Sequence, residues 1–260
     1  MVVLALGAAA LGTALAVVGV TFLLARRRGR YDLIDSVWGA GFAAIAVVTL
    51  AITGAPNLPG VVVSGLTVVW GLRLSVHIHR RNRGKPEDQR YRDILARARG
   101  NPAVHMLVRV YLTQAVVMWV VSWPVLLAQY EAGSGFTVLA WLGVAVWIVG
   151  FVFEATGDEQ LRRFKADPAN AGAVLDRGLW RYTRHPNYFG DACVWWGLYL
   201  LACHHPLGAV TVFSPILMTW LLARGTGKPL LERQLRESRP RYAEYVERTS
   251  GFVPLPPRKR

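Results

Sequence analysis

Cysteine is scarce in this chain: among 260 residues only Cys193 and Cys203 occur, both in an apolar stretch. That count excludes a disulfide scaffold. Charge is scarce too. Only 18% of the residues are charged, against about a quarter in an ordinary soluble domain. Acidic residues are the rarer sign, 16 Asp+Glu facing 30 Lys+Arg for a formal net charge of +14. Neither a GxGxxG fingerprint nor a GxxxxGK[ST] loop is present, so a bound nucleotide would not sit in a soluble Rossmann or P-loop domain. CxxC pairs and HExxH are missing as well, which leaves a metal centre without support. What the chain has in abundance is hydrophobic side chains, at 53%, and that excludes intrinsic disorder.

Those side chains come in blocks. Residues 1–25 carry no charged side chain, and about twenty apolar residues suffice for a helix to cross a bilayer. The basic cluster Arg26, Arg27, Arg28 and Arg30 follows this block, whereas a signal peptide has its basic residues first; a retained anchor is therefore expected. Further blocks lie at Leu33–Thr53, Gly60–Ile78, Val104–Gln129, Phe136–Ala155, Phe189–Ala202 and Ala209–Ala223. The expected fold is an all-α polytopic membrane protein with about seven transmembrane helices. The last two blocks are short and could instead form a helical hairpin that does not cross fully.

Basic residues alternate between the connections. None occurs in Gly54–Pro59, Tyr130–Gly135 or Cys203–Gly208; all 30 lie in or beside the connections after spans one, three and five and in the tail after span seven. Cytoplasmic loops retain the positive charge. The expected orientation has the N-terminus outside and the C-terminus in the cytosol, with residues 1–260 forming one integral-membrane domain. Basic residues next to anionic lipid, such as Arg258, Lys259 and Arg260 in the tail, account for the charge without nucleic acid.

The second long basic connection holds most of the chemistry. On a helix continuing out of span five, Glu154, Asp158, Arg162 and Lys165 fall at spacings of four and three and share a face. A surface charge ladder would produce that pattern. Glu154, however, follows eighteen residues without a charge, and an ionisable group at such depth marks a functional site by default. Further on, Arg181, Arg184 and His185 offer donors suited to phosphate oxygens. Pro186 fixes the turn, Asn187 is a candidate N-cap for span six, Tyr188 can stack or donate, and Asp191 enters the helix a turn later.

The run Trp180-Arg-Tyr-Thr-Arg-His-Pro-Asn-Tyr-Phe-Gly190-Asp191, followed by Trp195-Trp196-Gly197, resembles the signature of the steroid 5-alpha-reductase superfamily, and most of all its bacterial branch of unknown function. Trp70-Gly-Leu-Arg73, His79-Arg80-Arg81-Asn82, Glu87-Asp88-Gln-Arg90-Tyr91, and the ending Arg239-Pro-Arg-Tyr242, Tyr245, Thr249-Ser250-Gly-Phe252-Val-Pro254 fit that branch too. The resemblance implies a membrane protein that reduces a carbon–carbon double bond conjugated to a carbonyl, in an apolar lipid substrate (steroid-like, fatty acyl or isoprenoid). It implies NADPH held by residues 104–260. By resemblance, Asp158, Arg162, Asn187 and Asp191 contact the cofactor, and Glu154, Lys165, Arg181, Tyr182, Arg184, His185 and Tyr188 surround it. His77 aligns with the substrate-polarising group and Asp35 with its acidic partner; both also read as ordinary residues at the ends of spans. The implied location is a bacterial inner membrane with the active face cytosolic.

A second reading is a lipid or isoprenylcysteine methyltransferase using S-adenosylmethionine. Those enzymes have a similar Arg-His-Pro-x-Tyr turn, but they usually add a Glu-Glu pair in the last cytosolic helix, where this chain has isolated Glu232 and Glu237.

Overall fold

A computed structural model describes residues 1–54, 57–130, 135–225 and 227–258, with the backbone alone at positions 230 and 234. The tail residues Lys259 and Arg260, and part of the two lysine- and arginine-free connections at 54–59 and 130–135, lie outside the described residues. Among the described residues the fold is α-helical, and the β-pairing is the isolated bridge Thr183–Ser250. Among the described residues, six helical segments are long and apolar enough to cross a membrane: Val2–Arg28, Leu33–Thr53, Leu58–Asn82, Pro102–Gln129, Val138–Ala166 and Pro206–Ala223. The expected sixth span is a helix of 17 residues, Pro186–Ala202. At 1.5 Å per residue it reaches about 25 Å, somewhat short of a hydrocarbon core of about 30 Å.

The chain forms two compact units, residues 1–140 with 201–211, and residues 141–200 with 212–260. In the first, α1 (Val2–Arg28) ends at Gly29, whose φ of 62° lets its N–H turn back to the carbonyls of Ala25 and Arg26. Helix α2 (Leu33–Thr53) follows. Asn57 caps α3 (Leu58–Asn82) by accepting from the Gly60 N–H at 2.5 Å, with Pro59 in the first turn where its missing N–H costs nothing. Helix α4 (Gln89–Ala96) is short and starts on an Asp88 cap. Asn101 then starts α5 (Pro102–Met106), which runs through a π-helical turn at Leu107–Leu112 into α6 (Thr113–Val121). Pro124 interrupts the N–H ladder, so α7 (Trp123–Gln129) begins afresh after Ser122.

Helices α2 and α3 meet backbone to backbone. A Cβ placed on Gly71 would lie 2.3 Å from the Gly39 carbonyl oxygen, and one on Gly39 would lie 2.2 Å from that of Gly71. Small residues at a crossing are how helices associate without a hydrophobic driving force. One turn on, the Ser75 hydroxyl accepts from the Ala40 N–H at 2.8 Å. Polar ties fix the other neighbours: Trp119 donates its indole N–H to Gly7 O, and the Gln129 amide donates to Ala46 O and Ser64 Oγ.

The second unit is built from α8 (Val138–Ala166) and α9 (Pro186–Ala202), then α10 (Phe213–Ala223), α11 (Lys228–Ser238) and α12 (Tyr242–Arg248). Helix α8 continues unbroken from its apolar stretch into the charged segment, as the sequence pattern predicts.

Gly71→Ala is expected to destabilise the protein by at least about 1–3 kcal/mol, since backbone atoms must move to admit the methyl group. Gly12→Ala, where the added carbon meets nothing within 4 Å, should leave stability unchanged or raise it slightly. Thermal unfolding of both variants in detergent checks the pair.

Candidate functional site

Three glycines bring α8 and α9 together in the second unit. A Cβ on Gly190 would stand 2.4 Å from the Glu154 amide nitrogen and 2.5 Å from the Gly150 carbonyl oxygen. One on Gly150 would stand 2.6 Å from Gly190 O, and one on Gly197 2.6 Å from Gly143 O. Toward the basic connection, Gly157 packs against Pro186 and the Asn187 backbone. With no side chains between the two backbones, polar groups on adjoining turns come within reach of each other. Asn187 donates from Nδ2 to Asp158 Oδ1 at 3.1 Å. Asn187 is expected from sequence to cap the helix. The helix instead starts at Pro186, so Asn187 sits in the first turn and its amide crosses to α8. Glu154, only 2% exposed, and the buried Asp158 and Asp191 complete an acidic set on the two helices.

The remaining predicted residues divide into two groups. Arg162, Lys165, Arg181 and Tyr182 are exposed. Arg162 makes a two-pronged bond to Glu159, at 2.6 and 2.7 Å, and Arg163 binds the same carboxylate. Arg184 and His185 are buried. The Arg184 guanidinium donates to Glu232 Oε1 at 2.9 Å, to Val246 O at 3.1 Å, and to Thr249 O. These donors, expected to meet phosphate, serve to bind the carboxyl-terminal segment. The backbone agrees: Arg184 N–H donates to Ser250 O, and the Thr183 hydroxyl to Phe252 O. His185 Nε2 lies 3.1 Å from Glu232 Oε1, and its ring stacks on Tyr188 with centroids 5.3 Å apart.

Sequence reasoning missed Glu232, Gln160, Trp180 and Tyr245 as parts of this assembly. The Gln160 side chain accepts from Leu179 N, the Trp180 indole donates to Gly157 O, and the Tyr245 hydroxyl donates to Trp180 O. Together they hold the turn that carries Arg184 and His185 against the end of α8. Trp180 and Tyr245 do stand in the quoted motifs. Glu232 follows no spacing rule and lies 48 residues from Arg184.

Electrostatics follow from this burial. Desolvation raises the Glu232 carboxyl, but bonds from His185 and Arg184 outweigh it and bring its pKa down to about 2. Burial also lowers the His185 imidazole below its ordinary 6.5, so it stays neutral and donates to Glu232.

In the first unit, Asp35 stands in the first turn of α2 and His77 is half-buried in α3. Asp35 accepts from Arg90 Nη2 at 2.8 Å and from the Tyr91 hydroxyl at 2.5 Å. Nearby, Asp32 pairs with Arg30 through two bonds and accepts from Asp88 N. Glu87 accepts from Tyr31 N, and the Tyr111 hydroxyl donates to Tyr31 O. Asp35 thereby ties α2 to the connection after α3.

The family described as a protein of unknown function, DUF1295, matches residues 21–249. The chain belongs to this family. Among curated proteins, this DUF1295 member is similar to the uncharacterized protein C594.04c of Schizosaccharomyces pombe, 24% identical over 217 residues that cover 73% of the chain and 61% of the relative. It is also similar to the steroid 5-alpha-reductase DET2 of Arabidopsis thaliana, 37% identical over 70 residues, 26% of each protein. Both matches thus cover less than two thirds of the relative's own length. No solved structure matches.

Replacing Arg184 by Met leaves the half-buried Glu232 carboxylate without its main partner and should cost about 1–3 kcal/mol. Because both pKa values are lowered on folding, stability is expected to fall as the pH is lowered. The His185 contribution is complete above 6.5 and lost below it; that of Glu232 is complete above 4.5 and lost between 4.5 and about 2. Thermal unfolding across pH checks this, and His185→Gln should remove the upper part of the decline.

Proposed function

We propose that this protein is an NADPH-dependent membrane reductase acting on a carbon–carbon double bond conjugated to a carbonyl in an apolar lipid. The observation that carries the proposal is the Asn187–Asp158 bond between α8 and α9, flanked by the buried carboxylates of Glu154 and Asp191. The partial similarity to a plant steroid 5-alpha-reductase supports it.

The residues fit a dinucleotide in kind. Carboxylates accept from ribose hydroxyls, and an amide such as Asn187 can both donate and accept. Of the expected phosphate donors, Arg162 and Lys165 are exposed on α8 beyond Asp158, Arg162 with a bond partner already in Glu159. Arg184 and His185 bind Glu232 and the carboxyl-terminal segment instead. Tyr188 and Asp191 are the further candidates that the resemblance implies. When bound, NADPH supplies the hydride. Reduction of an enone builds negative charge on the carbonyl oxygen, which a proton donor in a water-poor site stabilises strongly. His77 is the candidate donor, and Asp35 its candidate orienting group, because an imidazole titrates near neutrality. The alternation of basic connections supports an inner-membrane location with this face cytosolic.

One observation favours the methyltransferase reading. Glu232 is isolated in sequence yet pairs with the Arg-His turn, which couples that turn to an acid on a late cytosolic helix. Titrating the detergent-purified protein with NADPH and with S-adenosylmethionine separates the two. A ligand at a hundredfold excess over its Kd should stabilise the fold by about 2.7 kcal/mol. Stabilisation by NADPH is the expected result, and stabilisation by S-adenosylmethionine alone would reverse the assignment. Asp158→Ala and Asn187→Ala should each weaken NADPH binding while the protein stays folded. His77→Phe should lower turnover more than cofactor affinity; normal turnover would remove His77 from the reaction.

A further inference from the structure

The segment that Arg184 holds in place presents an apolar surface of its own. Leu255 N–H donates to Tyr182 O at 3.0 Å and the Thr183 hydroxyl to Phe252 O at 2.8 Å, so residues 252–255 run alongside 182–183. Their level relative to the apolar helices follows from a chain of aromatic contacts. The Phe252 ring meets Phe189, in the first turn of α9, with centroids 6.3 Å apart. Phe189 in turn meets Phe153 of α8 at 5.4 Å. Phe153 closes the charge-free run of α8, immediately before Glu154. The segment therefore lies beside the point where the apolar helices give way to the polar connection.

Side chains in this segment alternate. Phe252 turns toward the helices, while Val253 and Leu255 are 53% and 54% exposed. Tyr182, on the neighbouring stretch, is 43% exposed. Arg181 and Arg258, both exposed, flank the group on either side in the chain. Aliphatic side chains with an amphipathic ring and arginines at the rim suit the boundary between headgroups and acyl chains. There the ring and the aliphatic groups leave water, and the guanidinium groups bind phosphate.

We propose that Tyr182, Val253 and Leu255 insert into the interfacial layer of the bilayer, with Arg181 and Arg258 on the headgroups of anionic phospholipids. The carboxyl-terminal segment is then a monotopic anchor, added to the spans and joined directly to the turn that carries Arg184 and His185. The proposal requires the membrane-embedded fold and is independent of which cofactor the protein binds.

The test uses the full chain with Cys193→Ala and Cys203→Ala, a single cysteine introduced by Leu255→Cys, and an environment-sensitive fluorophore on it. The protein is reconstituted into vesicles of phosphatidylcholine and phosphatidylglycerol that contain lipids with a nitroxide near the headgroup. Val152→Cys, exposed on the apolar part of α8, and Ala169→Cys, exposed in the connection before α9, supply the membrane and water references. The label at position 255 should lose most of its fluorescence to the nitroxide lipid and resist aqueous iodide. A label that behaves like the one at position 169, while the one at position 152 is quenched by lipid, overturns the proposal. Quenching at position 255 should weaken in vesicles without phosphatidylglycerol and in the Arg181→Gln, Arg258→Gln variant. Equal quenching in all these cases would overturn the role given to the arginines.

Discussion

Helices that meet through glycine leave no room for a side chain between their backbones, and that exclusion organises the second unit. Gly150, Gly190 and Gly197 let α8 and α9 approach until the backbone of one helix occupies the space a side chain would need on the other. In a bilayer such contact supplies van der Waals attraction without any hydrophobic drive. It also fixes register. Once Gly190 lies against Glu154, the next turns bring Asn187 to Asp158, and the polar ends of both helices act as one surface. The first unit uses the same device at Gly39 and Gly71, where Asp35 and His77 stand on the joined helices.

Around this contact the charged groups fall into two functions. Some hold the polypeptide: Arg184 joins the carboxyl-terminal segment, and Asp35 joins the connection that follows α3. Others, Glu154, Asp158 and Asp191, are buried on the helix pair itself and carry the proposed cofactor site. Arginine suits the first task because its planar fork can serve a carboxylate and backbone carbonyls at once. One motif thus holds both Arg184 and Asn187, three residues apart, yet Arg184 bonds the carboxyl-terminal segment and Asn187 bonds Asp158 on α8.

Much of the fold was legible in the sequence because its signals are local. Helix α2 occupies the residues bounded by its hydrophobic block, and α8 continues through Asp158 into the basic segment as its spacing requires. Pro186 marks a helix start, although Asn187 then falls inside the first turn and is released from capping. What could not be read was pairing across distance. Glu232 looks like a solvated acid on an amphipathic helix, and only the folding back of α11 brings it to Arg184. Asp35 likewise meets Arg90 and Tyr91 over 55 and 56 residues. Hydrophobic period and turn chemistry carry no information about such partners. The motif quoted for its resemblance did contain Trp180, but not the fact that its indole holds the Gly157 carbonyl.

The Arg184–Thr249 bond has a further consequence for how the protein is made. The guanidinium emerges during translation 65 residues ahead of the carbonyl it must bind. Until that stretch has been synthesised and has folded back, Arg184 and His185 remain hydrated at the surface of an unfinished unit. The polar surface around this turn can therefore close only after the late helices have been synthesised.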